Sequence, residues 1–523
     1  MTFSDSDKAN QSIAPDGTVY PIPTISTQQT QFDTLVQEVE KQRAQGCQIV
    51  VVQGLGFVGS AVAAVIAAAR NASGNPLYFV LGLDLPSPSG YWKVAKINDG
   101  VVPIVSPDLE LPKLIHDAVC TTKNLCATVC EAACALADVI VVDIHLDVLD
   151  RLADNATDIE LNLESFSAAM HTVGRHMRPD TLVLIETTVP AGTSEQLVAP
   201  ILRAERKQRD IDAPLLLAHA YERVMPGPNY IHSIRHFWRT FSGIDAASTA
   251  KARDFLTSFI ETEHYPLWEL EDTNSSELAK LMENSYRAAN IAFIHEWTLL
   301  AENMGINLFA VVDSIRVRKG SHDNMRFPGF GVGGYCLTKD SLLAQWSAMN
   351  WASEEVHLDM TLAALKINHQ MPLHTLDLLK QMIEGGLEGK TIAVCGVAYL
   401  PEVADTRNSP TELLVDELHK AGATVIVHDS YVPTWVERPD IPITQALTDC
   451  LEADGIVLAV PHRDYRDLLL TMISETLSAS SKVIVDAQNV ISDEKAQMLH
   501  NAGCRLLGVG KGHWKKRNYQ CPQ

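Results

Sequence analysis

Short runs of continuous apolar residues alternate with segments of helical periodicity along most of the chain. The first run, CQIVVVQ (Cys47–Gln53), is rich in β-branched residues. It leads at once into GLGFVG (Gly54–Gly59) and then SAVAAVIAAAR (Ser60–Arg70), helical in composition. Strand, glycine turn and helix open a doubly wound α/β unit. Further buried-strand runs follow: LYFVLGLD (Leu77–Asp84), DVIVVDI (Asp138–Ile144), TLVLIE (Thr181–Glu186) and PLLLAHA (Pro214–Ala220). Uninterrupted apolar strands separated by helices predict a parallel sheet covered on both faces.

The middle changes character. Helical periodicity without strand signals runs from Glu271 to about Asp313 and again from Met360 to Ile383, with the glycine-rich loop FPGFGVGGYC (Phe327–Cys336) between. The last third returns to α/β alternation: TIAVCGVA (Thr391–Ala398), TVIVHD (Thr424–Asp429), GIVLAV (Gly455–Val460), KVIVDA (Lys482–Ala487) and RLLGVG (Arg505–Gly510). The expected fold class is therefore α/β, with two Rossmann-like doubly wound parallel-sheet domains joined by a long central helical connector. The expected divisions are an N-terminal extension (1–46) ending in a helix over Phe32–Gln45, a dinucleotide-binding domain (47–250), a central helical region (251–385) and a second Rossmann-like domain (386–523).

Composition narrows the function. With 523 residues, 46% apolar and 20% charged, the chain has ample material for several cores. The net charge of -22 repels polyanions, so no nucleic-acid partner is expected. The longest apolar run, Ala61–Ala69, is about half of the ~18 residues a membrane span needs, and the polar N-terminus lacks a signal peptide's regions. Ten scattered cysteines fit a reducing compartment, and the expectation is a cytoplasmic protein without membrane insertion. Cys126, Cys130 and Cys134 have i, i+4, i+8 spacing and predict one helix face, read as packing; no metal is expected.

Gly54, Gly56 and Gly59, with Phe57 and Val58 between them, sit where a dinucleotide fingerprint needs them. Asp84 closes the next strand, where a carboxylate binds ribose hydroxyls and disfavours a 2′-phosphate, so NAD is expected over NADP. A purely structural glycine turn is the alternative. The second Rossmann-like unit lacks the fingerprint. Its turn, AYLPEVADTRNSP, places Arg407 beside a helix start, which suits a phosphate or, equally, a salt-bridged loop. Cys336 lies in the glycine-rich loop, four residues before Asp340, and is the best placed of the ten thiols for nucleophilic work. Lys280 and Asn284 share a helix face with Glu277 just before them; a surface ion pair is their common meaning, a buried oxyanion-binding pair the functional one. Asn290 and Glu296 on that helix are expected to be buried and to need partners. The segments ETTVPAGT (Glu186–Thr193) and YERVMPG (Tyr221–Gly227) both end strands, where α/β sheets bind ligands.

In this order, GLGFVG, TTVPAGT, ERVMPG, ELAKLMENSYRAANIAFIHE, GFGVGGYC with Asp340, and ADTRNSP resemble the UDP-glucose/GDP-mannose dehydrogenase family, from Cys47 to about Trp514. The resemblance implies a four-electron, NAD-dependent oxidation of a nucleotide sugar's C6 hydroxymethyl to a carboxylate. Cys336 matches the nucleophile that holds a thiohemiacetal and then a thioester. Lys280 and Asn284 match the oxyanion-stabilising pair, Asp340 the acid that activates water, and Thr188 and Glu222 the residues near hydride transfer and hydrolysis. Arg223, Arg326, Gly333, Gly334 and Arg407 are the substrate-contacting positions it implies. It also implies a homodimer or larger homo-oligomer through the central helix and a UDP-binding C-terminal domain.

The ERVMPG form looks more like the enzymes acting on UDP-N-acetylhexosamines than like the UDP-glucose enzymes, which are the alternative. Four departures stand out: Leu400 where the family has Lys, DIHLDVLD (Asp143–Asp150) where it often has Thr-Pro, Ser106–Pro107 where Glu is common, and Gln488 where Arg is frequent. A single-hydride β-hydroxyacid-type dehydrogenase would need neither the loop cysteine nor the second Rossmann-like unit. A non-catalytic nucleotide-sugar sensor would not need Cys336, Lys280, Asn284 and Asp340 together.

Overall fold

The computed structural model describes residues 10–149, 159–224, 227–354, 356–476 and 482–521. Met225 and Pro226 of the ERVMPG segment, Asp150 and the first nine residues lie outside them. The chain divides into two compact units. One comprises residues 1–150, 157–281 and 343–356; the other comprises 151–156, 282–342 and 357–523.

The first unit opens with a hairpin, β1 (Gln11–Ile13) and β2 (Val19–Pro21), then helix α1 (Ile25–Ala44), longer at its start than the sequence pattern predicts. Thr24 caps α1 by accepting from the Thr27 N–H. Next come β3 (Gln48–Gln53), helix α2 (Phe57–Ala67), β4 (Tyr78–Leu83), β5 (Leu125–Thr128), β6 (Val139–Val142), β7 (Leu182–Ile185), β8 (Leu216–Tyr221), β9 (Thr240–Gly243) and β10 (Trp268–Glu269). They form one sheet in the order β10-β9-β8-β7-β6-β3-β4-β5. Every neighbouring pair is parallel except β8 and β9. The order reverses between β6 and β3, which puts a ligand crevice at the carboxyl ends of those strands.

Three sequence expectations are corrected by the fold, the first of them the cysteine cluster. Cys126, Cys130 and Cys134 share no helix: Cys126 lies on strand β5, Cys130 in the following turn and Cys134 in a short 3-10 helix, Glu131–Leu136. Hydrogen bonds from Asn124 Nδ2 to the Ala67 and Tyr78 carbonyls pin the segment to the sheet edge, and Asn98 exchanges two hydrogen bonds with the Ala127 backbone. Tertiary anchoring thus overrides the i, i+4 pattern. Burial pushes the Cys126 and Cys134 thiols up to about 12, as inert packing groups.

Helix α3 (Thr273–Asn303) begins in the first unit and continues in the second. Asn290 and Glu296 on it are not buried as expected. Glu296 is exposed, and Asn290 is half-buried and satisfied by the Tyr286 carbonyl one turn back. The segment after FPGFGVGGYC is the second correction to the element pattern: Cys336 is the first residue of helix α4 (Cys336–Asn350) rather than part of the loop.

The second unit holds helix α5 (Asp359–Met382) and a sheet of β11 (Thr391–Cys395), β12 (Thr424–His428), β13 (Ile443–Thr444), β14 (Gly455–Leu458), β15 (Val483–Asp486) and β16 (Arg505–Gly508). Its order is β13-β12-β11-β14-β15-β16, all parallel. Alternate residues feed opposite faces. Ile392, Val394 and Val457 enter the core under α5 and helix α6 (Thr411–Lys420), while Ala393, Cys395 and Ile456 enter the core on the other side. Burial on both faces is why these strands read as unbroken apolar runs. The fold is the two doubly wound units with a helical connector that the pattern predicts.

Candidate active site

In the first unit the glycine turn has the geometry of a phosphate cradle. Gly54 has φ +99°, and a Cβ there would lie 2.4 Å from the Asp143 carbonyl oxygen. A Cβ on Gly59 would lie 1.9 Å from the Gly54 carbonyl, so the turn closes only with glycine. A Cβ on Gly56, by contrast, meets nothing within 4 Å: this is the open side, where another backbone or a phosphate can approach. Gly56 is also the N-cap of α2, whose first-turn N–H groups and dipole favour an anion. Phe57 and Val58 are half-buried, and the Phe57 ring packs on Tyr230 at 4.8 Å between centroids. Asp84 accepts the Leu55 N–H at 3.1 Å and its own neighbour Leu85 N–H at 2.8 Å, with Lys93 Nζ at 3.2 Å. It stays half-buried, with its carboxylate beside the turn. These features fit NAD: α2 and the turn would hold its pyrophosphate, and Asp84 its ribose.

Across the reversal point stand three acids, of which the sequence singled out Glu222 alone as a functional residue. Asp143 follows β6, Glu186 follows β7 and Glu222 follows β8. Glu186 forms a buried ion pair with Arg239, 53 residues away in sequence, which nothing in the sequence pattern joins. Thr188 is half-buried two residues beyond Glu186. The loop carrying it is clamped by Glu277, which accepts the N–H groups of Gly192 at 2.7 Å and Ser194 at 2.9 Å. Burial drives the Glu277 carboxyl up to about 7, against the pull of those donors. The sequence placed Glu277 beside Lys280 but gave no sign of this clamp. Lys280 is buried and donates to the Glu222 carbonyl at 2.9 Å, with its Nζ 5.4 Å from the centre of the Tyr221 ring. Arg223 stacks over the same ring at 4.8 Å and donates to the Tyr221 hydroxyl at 2.8 Å.

In the second unit Asn284 donates to Asp340 Oδ2 at 2.6 Å, both side chains buried, and Ser285 and Ser341 bond alongside at 2.9 Å. These bonds tie α3 to the first turns of α4. Cys336 heads α4 with an exposed residue surface, and Asp340 lies one turn on. The positive end of the helix favours negative charge on the sulfur.

The loop glycines, expected to let a ligand approach, are required by the protein itself. A Cβ on Gly333 would lie 2.5 Å from the Tyr399 Cβ, and one on Gly334 2.8 Å from the Tyr399 ring; Gly334 also has φ +80°. The Gly334 N–H donates to the Arg407 carbonyl and Asn408 Nδ2 to the Gly334 carbonyl, so this loop is laced to the ADTRNSP turn. Arg407 itself makes a two-point ion pair with Asp405 (2.8 and 2.5 Å) and lies over the Tyr335 ring at 5.0 Å. Arg326 is half-buried, and burial with the nearby Arg287 and Arg316 lowers its proton affinity. The structure therefore brings Asn284 to Asp340, and Gly333 and Gly334 to the Arg407 turn, in one unit. It brings Lys280 to Glu222, and Asp143 to the glycine turn, in the other.

Comparison with known proteins agrees with this geometry. Three family descriptions match successive stretches: the NAD binding domain of the UDP-glucose/GDP-mannose dehydrogenase family over residues 48–256, its central domain over 274–370 and its UDP binding domain over 393–493. A UDP-N-acetyl-D-mannosamine dehydrogenase from Methanocaldococcus jannaschii is 27% identical, over 88% of this chain and 96% of that protein. An NDP-N-acetyl-D-galactosaminuronic acid dehydrogenase from Ralstonia nicotianae is 26% identical, over 85% and 96%. Among solved structures, the NDP-N-acetyl-D-galactosaminuronic acid dehydrogenase of Methanosarcina mazei superposes with a TM-score of 0.75 at 29% identity, covering 91% of this chain and 98% of that one. With a cofactor turn, a nucleotide-binding second sheet and three consecutive matches spanning well over half its length, the chain belongs to the UDP-glucose/GDP-mannose dehydrogenase family and is an NAD-dependent nucleotide-sugar dehydrogenase.

Proposed function

We propose that this enzyme oxidises the C6 hydroxymethyl of a UDP-N-acetylhexosamine to the uronate, with two NAD used in succession and Cys336 as the covalent carrier. The observation that supports it most is Cys336 at the exposed head of α4, one turn before an Asp340 held by Asn284. The relatives named above act on N-acetylated amino sugars by their names, and Arg223, braced on Tyr221, distinguishes the ERVMPG form. UDP-glucose is the competing substrate.

NAD, when bound at the glycine turn, accepts the hydride. The first oxidation removes C6–H as hydride and the hydroxyl proton, leaving an aldehyde. The Cys336 thiolate adds to that carbonyl and forms a thiohemiacetal. Loss of a second hydride and the hydroxyl proton gives a thioester, and water displaces the thiolate to release the carboxylate. Covalent capture retains the aldehyde until it is fully oxidised. By motif, Lys280 and Asn284 stabilise the oxyanions, Asp340 orients the attacking water, and Thr188 and Glu222 serve hydride transfer and hydrolysis. Arg326, Gly333, Gly334 and Arg407 contact the nucleotide sugar.

The enzyme acts as a homodimer in the cytoplasm, supplying uronates for surface polysaccharide. Support for the dimer comes from α3, where Met282, Tyr286, Phe293, Trp297, Leu300 and Met304 form an exposed apolar stripe at helical spacing. Trp297→Asp is expected to yield monomers in sedimentation analysis; an unchanged mass would rule this interface out. All ten cysteines are free thiols, and among the described residues no helix is long and apolar enough to cross a membrane.

The test of the reaction is stoichiometric. Purified enzyme with excess NAD and limiting UDP-N-acetylmannosamine, UDP-N-acetylgalactosamine, UDP-N-acetylglucosamine or UDP-glucose should yield two NADH per sugar with one of the three N-acetylhexosamines. One NADH per sugar would overturn the four-electron reading, and two NADH with UDP-glucose alone would overturn the sugar.

A further inference from the structure

The carboxyl ends of β6, β7 and β8 carry Asp143, Glu186 and Glu222, three acids on three neighbouring strands. The cation among them is Arg239, from the residue before β9, and it is bound to Glu186 with both side chains almost wholly buried. Asp143 Oδ2 is sealed from solvent and has no hydrogen-bond partner among the described residues. Burial first, then the charges of Glu186 and Glu222, push the Asp143 carboxyl well above the usual range, with Arg239 opposing them. The other charges nearby are engaged elsewhere. His145 and Asp147, on the same loop, lie 3.4 Å apart; Lys280 donates to the Glu222 carbonyl; the glycine turn packed against Asp143 carries no charge. Glu186 therefore keeps Arg239, and Asp143 keeps the proton.

The place of Asp143 gives this proton a use. Its carbonyl and Cβ lie against the glycine turn: a Cβ on Gly54 would be 2.4 Å from the former, and one on Gly59 3.3 Å from the latter. A dinucleotide lies across the point where strand order reverses. If its adenosine ribose is held at Asp84, beyond β4, a dinucleotide crossing that point would carry its nicotinamide half to the β6–β7 side, toward Asp143. The oxidised ring carries a positive charge and the reduced ring none. A half-buried carboxylate beneath that ring, one oxygen sealed from water, would favour the cation, because water screens such a pair only in part.

We propose that Asp143 makes this site discriminate between the redox forms of its cofactor: as a carboxylate it strengthens NAD+ binding over NADH, and NAD+ binding draws its proton off. The linkage is reciprocal. NAD+ binding releases a proton that NADH binding does not, and conversion of bound NAD+ to NADH lets Asp143 take a proton back. This rests on NAD use alone, whichever sugar is oxidised. DIHLDVLD thus replaces the familiar Thr-Pro segment with a group that responds to cofactor charge.

Two measurements test it. Calorimetric titration of the unaltered enzyme in two buffers of different ionisation enthalpy, near pH 7.5, should show proton release with NAD+ and markedly less with NADH. Equal proton release for both would overturn the proposal without any variant. Second, the ratio of NADH to NAD+ dissociation constants should climb about tenfold as pH is raised in the parent and stay flat in Asp143→Asn. An identical profile in the two proteins, or a slope that survives in Asp143→Asn and vanishes in Glu222→Gln, would overturn it.

Discussion

The two sheets of this enzyme share the order of six parallel strands and divide at one carboxylate. In each, the second strand in chain order, after the βα turn, ends in an aspartate that accepts N–H groups from that turn. Asp84 accepts from Leu55 and Leu85 and remains half-buried beside an open Gly56. Asp429, after β12, is fully buried. It accepts from Val397, Ala398, Tyr431 and Val432 and bonds to His462 at 3.3 Å. These donors outweigh burial and hold its carboxyl below the ordinary range. The first aspartate keeps acceptor capacity for a ribose; the second has committed its own to the protein. The first glycine of each turn is closed alike, a Cβ on Gly54 or Gly396 lying 2.4 Å from the Asp143 carbonyl or the Val460 side chain. Two residues on, the turns divide: Gly56 faces space, whereas the second turn has the buried Ala398 there. One α/β turn is kept open for a ligand, and the other is closed by its own side chains.

The sharpest break between the sheets is chemical. Cys336→Ser should abolish uronate formation while leaving the NAD dissociation constant of the first unit unchanged. Turnover at the parental rate would show that the covalent chemistry does not need this thiol. Next in size is the aspartate pair. Asp429→Asn should cost about 2–4 kcal/mol of folding stability, because a buried network loses its acceptor, with little change in NAD affinity. Asp84→Asn should do the reverse, weakening NAD about tenfold at under ~1 kcal/mol of stability. Denaturant melts beside NAD titrations decide this; matched effects in both variants would erase the distinction.

The glycines sharpen it further. Gly396→Ala should lose about 2–3 kcal/mol through backbone strain and the clash with Val460. Gly56→Ala should fold within about 1 kcal/mol of the parent yet bind NAD at least roughly tenfold more weakly. The last effect is one of pH. Glu277, raised to about 7, favours the fold in its protonated form. Its contribution is complete below the ordinary carboxyl value and is lost as pH rises to about 7, on the order of 2–3 kcal/mol. Melting of Glu277→Gln should lack that slope, and a persistent slope would assign it to another group.

What the sequence disclosed follows from where signals are local. Strands buried on both faces read as unbroken apolar runs, so β3, β4, β6, β7, β8 and the principal strands of the second sheet are visible in the pattern. The glycine turn is visible because its constraint is spelled out within six residues. β9 is missed: RTFSG mixes polar and apolar residues, and its place depends on antiparallel pairing with β8. The start of α4 is missed because GGY precedes it, and its first turn is held by Thr338, which donates to the Gly334 carbonyl. The pairing of Glu186 with Arg239 and the clamp of Glu277 on Gly192 and Ser194 join residues 53 to 85 positions apart. No spacing rule reaches that far.

Helix α2 buries nine of its eleven residues. A helix so enclosed has lost its freedom at the moment of folding, so its N–H groups stand aligned before any cofactor arrives. The ordering entropy of the phosphate site belongs to folding, not to binding. On the proposed four-electron reaction, a second dinucleotide entering midway through a turnover would meet a cradle already formed.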